Sequence, residues 1–267
     1  MSRATDIAGM RERMVKLFTA KGMERGLAMD SRPSDVFVSP FSKCGTTWLQ
    51  QIVHSLRTGG DMDFDDISRV VPWVEASFDL GIDLDASQGA EPRAFKSHAG
   101  YDKIPKPGRY VVSLRDPKDQ VVSSFRFIEG WLFEVGSISI DAYARASFLE
   151  DPGRRYFRHF QSWWSARARA EVLLLFFEDM KEDLPGTVSR VAELCAVPLN
   201  AELLDRVVEY ASFDFMKRHG DKFDDSMMRE HSETVAGIPP GVPGAAAANR
   251  HSPYTRPGVS ILIPNLP

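Results

Sequence analysis

The sequence predicts a single α/β domain of three layers, with a mainly parallel sheet flanked by helices on both sides. Short apolar runs alternate with amphipathic helical patterns along most of the chain, which is the rhythm of strand–helix–strand units. The run Val172 to Phe177 (VLLLFF) is apolar without alternation, as a strand buried on both faces requires. With 267 residues, 43% of them hydrophobic, the chain is long enough to bury a core of that size.

From the amino end, Met10, Met14, Leu17 and Phe18 recur at helical spacing, so the first thirty residues read as an amphipathic helix packed on the outside, with no chemistry of its own. Asp35 to Ser39 (DVFVS) is the first strand. After a loop, Leu49, Ile52, Val53 and Leu56 fall at i, i+3, i+4 and i+7 of a helix ended by Gly59 and Gly60. Arg93 to Lys96 (RAFK) is a short second strand leading into Ser97 and His98. Tyr110 to Leu114 (YVVSL) is the third; Asp116 can cap the next helix, Pro117 suits its first position, and Val121, Val122 and Phe125 face inward. Val172 to Phe177 is the fourth strand, expected at the centre of the sheet. The stretches 58–92 and 128–150 are irregular, and their Trp73, Phe78, Trp131, Leu132 and Phe133 either cover a pocket or add ordinary core. A mobile lid or loop is expected over about 220–256, most clearly after Gly237, where Pro, Gly and Ala dominate.

A formal net charge of −4 excludes a protein held to nucleic acid or anionic lipid by bulk charge, so any polyanion must be gripped locally. Cys44 and Cys195 are too few for a disulfide framework and too far apart for a metal motif, which favours a reducing compartment. The charged amino terminus lacks a signal-peptide core, and no stretch has the apolar length of a membrane span. A cytoplasmic protein that needs no metal is the expectation.

In a parallel α/β sheet ligands bind beyond the carboxyl ends of the strands, where helix amino termini present free N–H groups. After the first strand comes Ser39-Pro-Phe-Ser-Lys-Cys-Gly-Thr-Thr-Trp48. Gly45 permits close approach of an anion, the N–H groups from Cys44 to Thr47 can cradle it, and Lys43 adds a positive charge. The order differs from a Walker loop, because the lysine precedes the glycine by two positions. Alone, this segment is also compatible with a structural turn. After the third strand, Arg115 and Ser123 stand about two helical turns apart and can clasp a second phosphate, although Arg115-Asp-Pro alone also reads as a capped helix start. His98, at the end of the second strand, is a candidate general base, since an imidazole ordinarily titrates near pH 6.5; alone it also reads as a structural histidine, but its place at a strand end beside the phosphate loop favours catalysis. His54, His159, His219, His231 and His251 suit helix faces or loops, Trp163 and Trp164 suit the core, and Phe223, Met227 and Met228 form either an adaptable pocket lining or an apolar patch.

With Lys96-Ser97-His98, Phe177 through Asp183 and Ser212-Phe213-Asp-Phe-Met216 added, the chain resembles the cytosolic sulfotransferases over about residues 33 to 220, in that family's order. Their Pro-Lys-Ser-Gly-Thr-Thr-Trp is similar to Phe41 through Trp48, their Arg-Asn-Pro-Lys-Asp with a later serine to Arg115 through Ser123, their Lys-Thr-His to Lys96 through His98, and their Tyr-Glu-Asp-Met-Lys-Glu-Asp to Phe177 through Asp183. The resemblance implies the P-loop-nucleotide-kinase-like sulfotransferase fold. It also implies sulfuryl transfer from 3'-phosphoadenosine 5'-phosphosulfate (PAPS) to a hydroxyl or amine of a small, apolar acceptor, releasing adenosine 3',5'-bisphosphate (PAP). Lys43, Cys44, Gly45, Thr46, Thr47 and Trp48 would then bind the 5'-phosphosulfate, with Trp48 stacked on adenine near Phe177. Arg115 and Ser123 would hold the 3'-phosphate, and Ser212, Phe213 and Met216 would complete the pocket. His98 would be the base, Lys43 would stabilise the leaving group, and Lys96 would assist at the sulfuryl oxygens, unless it is only a solvated neighbour.

Three features depart from the family's pattern. Phe177 replaces a tyrosine. Cys44 replaces a serine, as either an oxidisable thiol of lowered pKa or a small space-filler. The family's closing Arg-Lys-Gly is matched only by Arg256-Pro-Gly258, which leaves the completeness of the 3'-phosphate site open. A phosphotransferase using ATP and magnesium is the weaker rival, for want of a Gly-Lys-Ser/Thr order. A nucleotide-binding protein without transferase activity is the other. Partners beyond a small-molecule acceptor, and the oligomeric state, are not written in the chain.

Overall fold

A computed structural model describes residues 2–239. Its elements run in the order α1 (Ile7–Leu17), α2 (Ala20–Leu27), β1 (Val36–Val38), α3 (Thr46–Thr58), α4 (Ile67–Val70), α5 (Val74–Ser77), β2 (Ala94–Lys96) and β3 (Arg109–Leu114). There follow α6 (Pro117–Ile128), α7 (Ile140–Ala144), a π-helical turn (Arg145–Leu149), α8 (Arg155–Ala166) and β4 (Val172–Phe176). The described chain closes with α9 (Phe177–Glu182), α10 (Leu184–Cys195), α11 (Ala201–Tyr210), α12 (Phe213–Arg218), a 3-10 turn (Gly220–Phe223) and α13 (Ser226–Ala236).

The four strands pair in parallel in the order β2-β1-β3-β4. Alternation along each strand sends successive side chains to opposite faces. Val36, Val38 and Val111 therefore join the core under α3, α10 and α11, with Leu49, Ile52, Val53 and Leu56. Phe37, Tyr110 and Val112 join the opposite core with Trp163 of α8. A third cluster ties the amino-terminal segment to α6 and α13 through Ala4, Leu17, Ile128, Leu132 and Ala236. The predicted three layers are thus present, and a buried ion pair fixes the register of β2. Arg93 donates to both carboxylate oxygens of Asp35, at 2.9 and 2.6 Å, with the two side chains 1% and 0% exposed. Removing one member of such a pair typically costs about 3–5 kcal/mol.

Four expectations are corrected. The amino-terminal helix is two helices, because Thr19 caps a new one by accepting from the Gly22 N–H at 2.9 Å. β4 is an edge strand of the described sheet, with Phe176 43% exposed; β1 and β3 hold the centre. Trp164 stacks on Phe160 at the surface and is 39% exposed, whereas Trp163 is fully buried. The stretch expected to be a lid from about residue 220 is, as far as Ala236, a 3-10 turn and α13 with Met227 and Met228 buried; the remainder to 256 lies outside the described residues.

Candidate active site

A cavity of about 810 Å³ opens beyond the carboxyl ends of β1, β2 and β3. β1 has β2 on one side and β3 on the other, so the chain reverses direction across the sheet here, and crevices of this kind form at such a point. A depression of about 940 Å³ near the opposite ends of β3 and β4, lined by residues such as Tyr101, Arg109 and Glu171, contains none of the predicted site residues.

The loop after β1 is held open by its neighbours. The carbonyls of Ser42, Lys43 and Cys44 accept hydrogen bonds from Gln120 Nε2 (2.9 Å), Arg115 Nη1 (2.9 Å) and Ser113 Oγ (2.5 Å). With those carbonyls turned toward β3 and α6, the first N–H groups of α3 remain without intrahelical partners, which is an anion cradle. Gly45 has φ +97°, and a Cβ there would lie 3.0 Å from the Phe177 ring, so glycine is required on both counts. Lys43, Gly45, Thr46, Thr47, Trp48, Arg115, Ser123 and Phe177 all line the cavity. Thr46 Oγ1 and Arg115 Nε are buried there without hydrogen-bond partners among the described residues.

Lys43 lies 3.8 Å from the centroid of Phe127. Burial pushes its ammonium down to about 8, with Lys96 and Arg115 adding to the effect and Asp225 opposing it. Arg115 packs over the Phe177 ring at 4.3 Å, and Trp48 meets Phe177 edge-on while donating to the Ala211 carbonyl at 2.7 Å. Phe177 is the first residue of α9 rather than the last of β4. Cys44 is buried, and burial raises its thiol to about 12, despite opposition from Arg115.

His98 is positioned by three contacts. Its N–H donates to Glu75 Oε1 (2.7 Å), its ring meets Trp73 edge-on at 5.1 Å, and its Nδ1 lies 2.7 Å from the Pro40 carbonyl. A carbonyl only accepts, so Nδ1 carries the proton and Nε2 keeps the lone pair. Burial, then the charge of Lys96, pushes the imidazole down to about 3, so it is neutral near pH 7. Lys96 is not a solvated neighbour: it is 4% exposed, 4.2 Å from the Trp73 ring and 3.0 Å from Asp225 Oδ1.

Some expected residues stand apart. Ser212 caps α12, accepting from the Phe215 N–H at 3.2 Å; Phe213 is 68% exposed; and neither they nor Met216 line the cavity with Lys43. Phe78, Phe133, Phe223 and Met227 also lie off the cavity, while Trp73, Trp131, Leu132 and Met228 line it. His54 and His159 are buried structural histidines; His159 Nε2 donates to the Ser39 carbonyl at 3.1 Å, leaving Trp163 Nε1 to donate to the Ala99 carbonyl. His219 ends α12 and His231 lies on α13, whereas Arg256, Gly258 and His251 lie outside the described residues.

Two groups of lining residues escaped sequence reasoning. Met10, Arg11, Met14, Val15 and Phe18 wall the cavity; the amphipathic period of the first helix is the available signal, but that period fits external packing equally well. Asp225 belongs to no motif, and 129 residues separate it from Lys96, its partner. No group of three or more His, Cys, Asp or Glu side chains able to hold a metal ion occurs among the described residues.

A model of the sulfotransferase domain matches residues 33–237. Sulfotransferase 1E1 of Bos taurus is 30% identical over 207 residues, 71% of this chain and 68% of that protein. Sulfotransferase 1E1 of Rattus norvegicus is 31% identical over 219 residues, 77% and 73% of the two chains. Among solved structures, retinol dehydratase in a complex with retinol and PAP aligns with a TM-score of 0.60 and 20% identity over 80% of each chain. A mouse sulfotransferase complexed with PAP aligns with a TM-score of 0.59 and 21% identity, over 75% of this chain and 72% of that one. At these identities the structural likeness shows the fold, and the sequence matches carry the family.

Proposed function

The chain belongs to the sulfotransferase family, enzymes that take the sulfuryl group from PAPS and pass it to a small acceptor, and on that premise we propose how its residues do so. The loop from Lys43 to Trp48 takes the 5'-phosphosulfate, Arg115 and Ser123 take the 3'-phosphate, and Trp48 with Phe177 flanks the adenine. The unpartnered Thr46 Oγ1 and Arg115 Nε support this donor placement. The acceptor hydroxyl attacks sulfur in line, forming the new S–O bond as the bond from sulfur to the bridging phosphate oxygen breaks. His98 Nε2 takes the hydroxyl proton, and the Lys43 ammonium meets the charge that builds on the departing phosphate oxygen. Lys96 faces the sulfuryl oxygens. Negative charge brought in by the donor offsets the repulsion from Lys96 and raises the basicity of His98 above its value in the free protein.

The single observation that carries this reading is the His98 tautomer: Nδ1 is held by Pro40 at 2.7 Å, so the lone pair stays on Nε2 in a wall shared with Lys43 and Lys96. The acceptor is a small apolar alcohol, phenol or amine, as the walls from Met14, Phe18, Trp73, Phe127, Trp131 and Met228 suit. Retinol, bound in the retinol dehydratase structure, has that character.

Calorimetric titration with PAP beside ADP with magnesium, on wild type and His98→Ala, tests the reading. Wild type is expected to prefer PAP. His98→Ala should keep PAP affinity within about threefold while losing about 10²–10⁴ in turnover. A preference for ADP with magnesium would overturn the donor assignment, and unchanged turnover in His98→Ala would overturn the base.

A further inference from the structure

Asp225 is a carboxylate of the cavity wall that the donor chemistry leaves unused. It stands just before α13 with φ +55°, in the left-handed region that Asp and Asn tolerate better than most side chains. Its side chain is 20% exposed, lines the cavity and sets Oδ1 3.0 Å from Lys96 Nζ. Burial opposes ionisation, but Lys96, by charge and hydrogen bond, and then Lys43 hold the carboxyl below its usual range, so it is an anion. The other carboxylates nearby are committed elsewhere. Asp151 accepts from the Gly153 and Arg155 N–H groups and from the Arg155 side chain. Glu75 is not a lining residue, and its Oε1 holds Ser97 and the His98 N–H.

We infer that Asp225 is a specificity-determining residue for the acceptor: its carboxylate, paired with Lys96 in the wall that holds His98, admits neutral and cationic acceptors and turns anionic ones away. An acceptor that delivers its hydroxyl to His98 brings its own substituents against Asp225 and Trp73, whose ring centroid is 5.1 Å from that of His98. A neutral phenol meets aromatic faces and a hydrogen-bond acceptor, and an ammonium meets a counter-ion and a π face. A carboxylate meets a like charge, while Lys96 is already engaged. The inference rests on the sulfuryl-transfer reading above and adds the charge class of the acceptor.

The test uses wild type, Asp225→Asn and Asp225→Gly, since both replacements tolerate positive φ. Each protein is first titrated with PAP, then, saturated with it, with 2-naphthol and with 6-hydroxy-2-naphthoate, following quenching of the tryptophan fluorescence to which Trp73 and Trp131 contribute. Wild type is expected to favour the naphthol by about tenfold or more, and both variants to bring the ratio to about twofold by gaining affinity for the naphthoate, as Lys96 is released to pair with it. A ratio unchanged in the variants overturns the inference, as does a wild type that shows no preference or binds neither probe. If one variant fails to fold, the other decides. Failure of wild type to bind PAP in the first titration is a separate result, and it overturns the donor-site reading instead.

Discussion

Lys43 concentrates the electrostatic problem of the site in one side chain. Its backbone has φ +65°, its ammonium sits over Phe127, and burial, with help from Lys96 and Arg115, brings its titration to about 8. The cation exists below that pH, so the ability to stabilise a departing phosphate oxygen is present near neutrality and is lost as pH rises through 8. We therefore expect kcat/KM, which reports the free enzyme, to fall above pH about 8, by no more than about tenfold per unit. The limb for kcat should lie higher, because bound anion favours the ammonium. In Lys43→Arg the guanidinium stays protonated, so any activity that survives should no longer show the limb; a limb that persists assigns the titration to another group. The lysine and its loop were legible because they form a contiguous motif after a strand. Asp225, the group that opposes this shift, was not, because its position depends on the packing of α13 rather than on sequence neighbours.

At the scale of elements, the placement of His98 depends on how closely helices approach behind it. Gly26 of α2 lies so near α5 that a Cβ there would come 1.9 Å from the Val74 carbonyl oxygen, a backbone atom with little room to move. α5 in turn carries Glu75, whose carboxylate fixes Ser97 Oγ (2.9 Å) and the His98 N–H (2.7 Å). Gly26→Ala must therefore push α2 away from α5. A cost of about 1–3 kcal/mol is expected, an overpacking penalty that should lower the unfolding midpoint by about 2–12 °C. Turnover should fall more than PAP affinity, since the disturbance reaches His98 through Glu75 while the phosphate loop hangs on Gln120, Arg115 and Ser113. Scanning calorimetry with PAP titration checks both, and an unshifted midpoint would mean that the two helices part without cost. Such an approach is invisible in sequence, where Gly26 is one glycine among 19. β1, β3 and β4 were legible because each contains a compact apolar run, and β2 because RAFK leads directly into Ser97 and His98. The place of β4 was not: VLLLFF reads as buried on both faces, yet its side chains meet α8, α9 and α10 from the sheet's edge, and strand order is set by pairings between distant segments.

Across the whole molecule, the three layers legible in the periodicity hold three histidines whose charged form burial disfavours. His54 on α3, His98 after β2 and His159 on α8 belong to different parts of the molecule, and burial is the first cause that lowers each, to about 4, 3 and 4. Sequence placed His54 and His159 on helix faces or loops but could not say that both are buried, 2% and 6% exposed, because that depends on which face each helix turns to the sheet. In the unfolded chain each titrates near 6.5, so between about pH 4 and 6.5 the unfolded state binds more protons than the folded one. Stability is then fully present above 6.5 and declines as pH falls, by up to about 1.4 kcal/mol per unit for each histidine. Three such groups acting together approach the whole stability of an ordinary domain, about 5–15 kcal/mol, within two pH units. We expect the urea midpoint to drop steeply between pH 7 and 5, with the unfolding slope unchanged, and His54→Asn or His159→Gln to flatten the profile even where it lowers the plateau. A midpoint constant over that range would mean that the three imidazoles reach water and charge without unfolding the protein. That result would also mean that burial does not set the neutral state of His98, so a measurement made on the whole fold bears directly on the chemistry of one nitrogen.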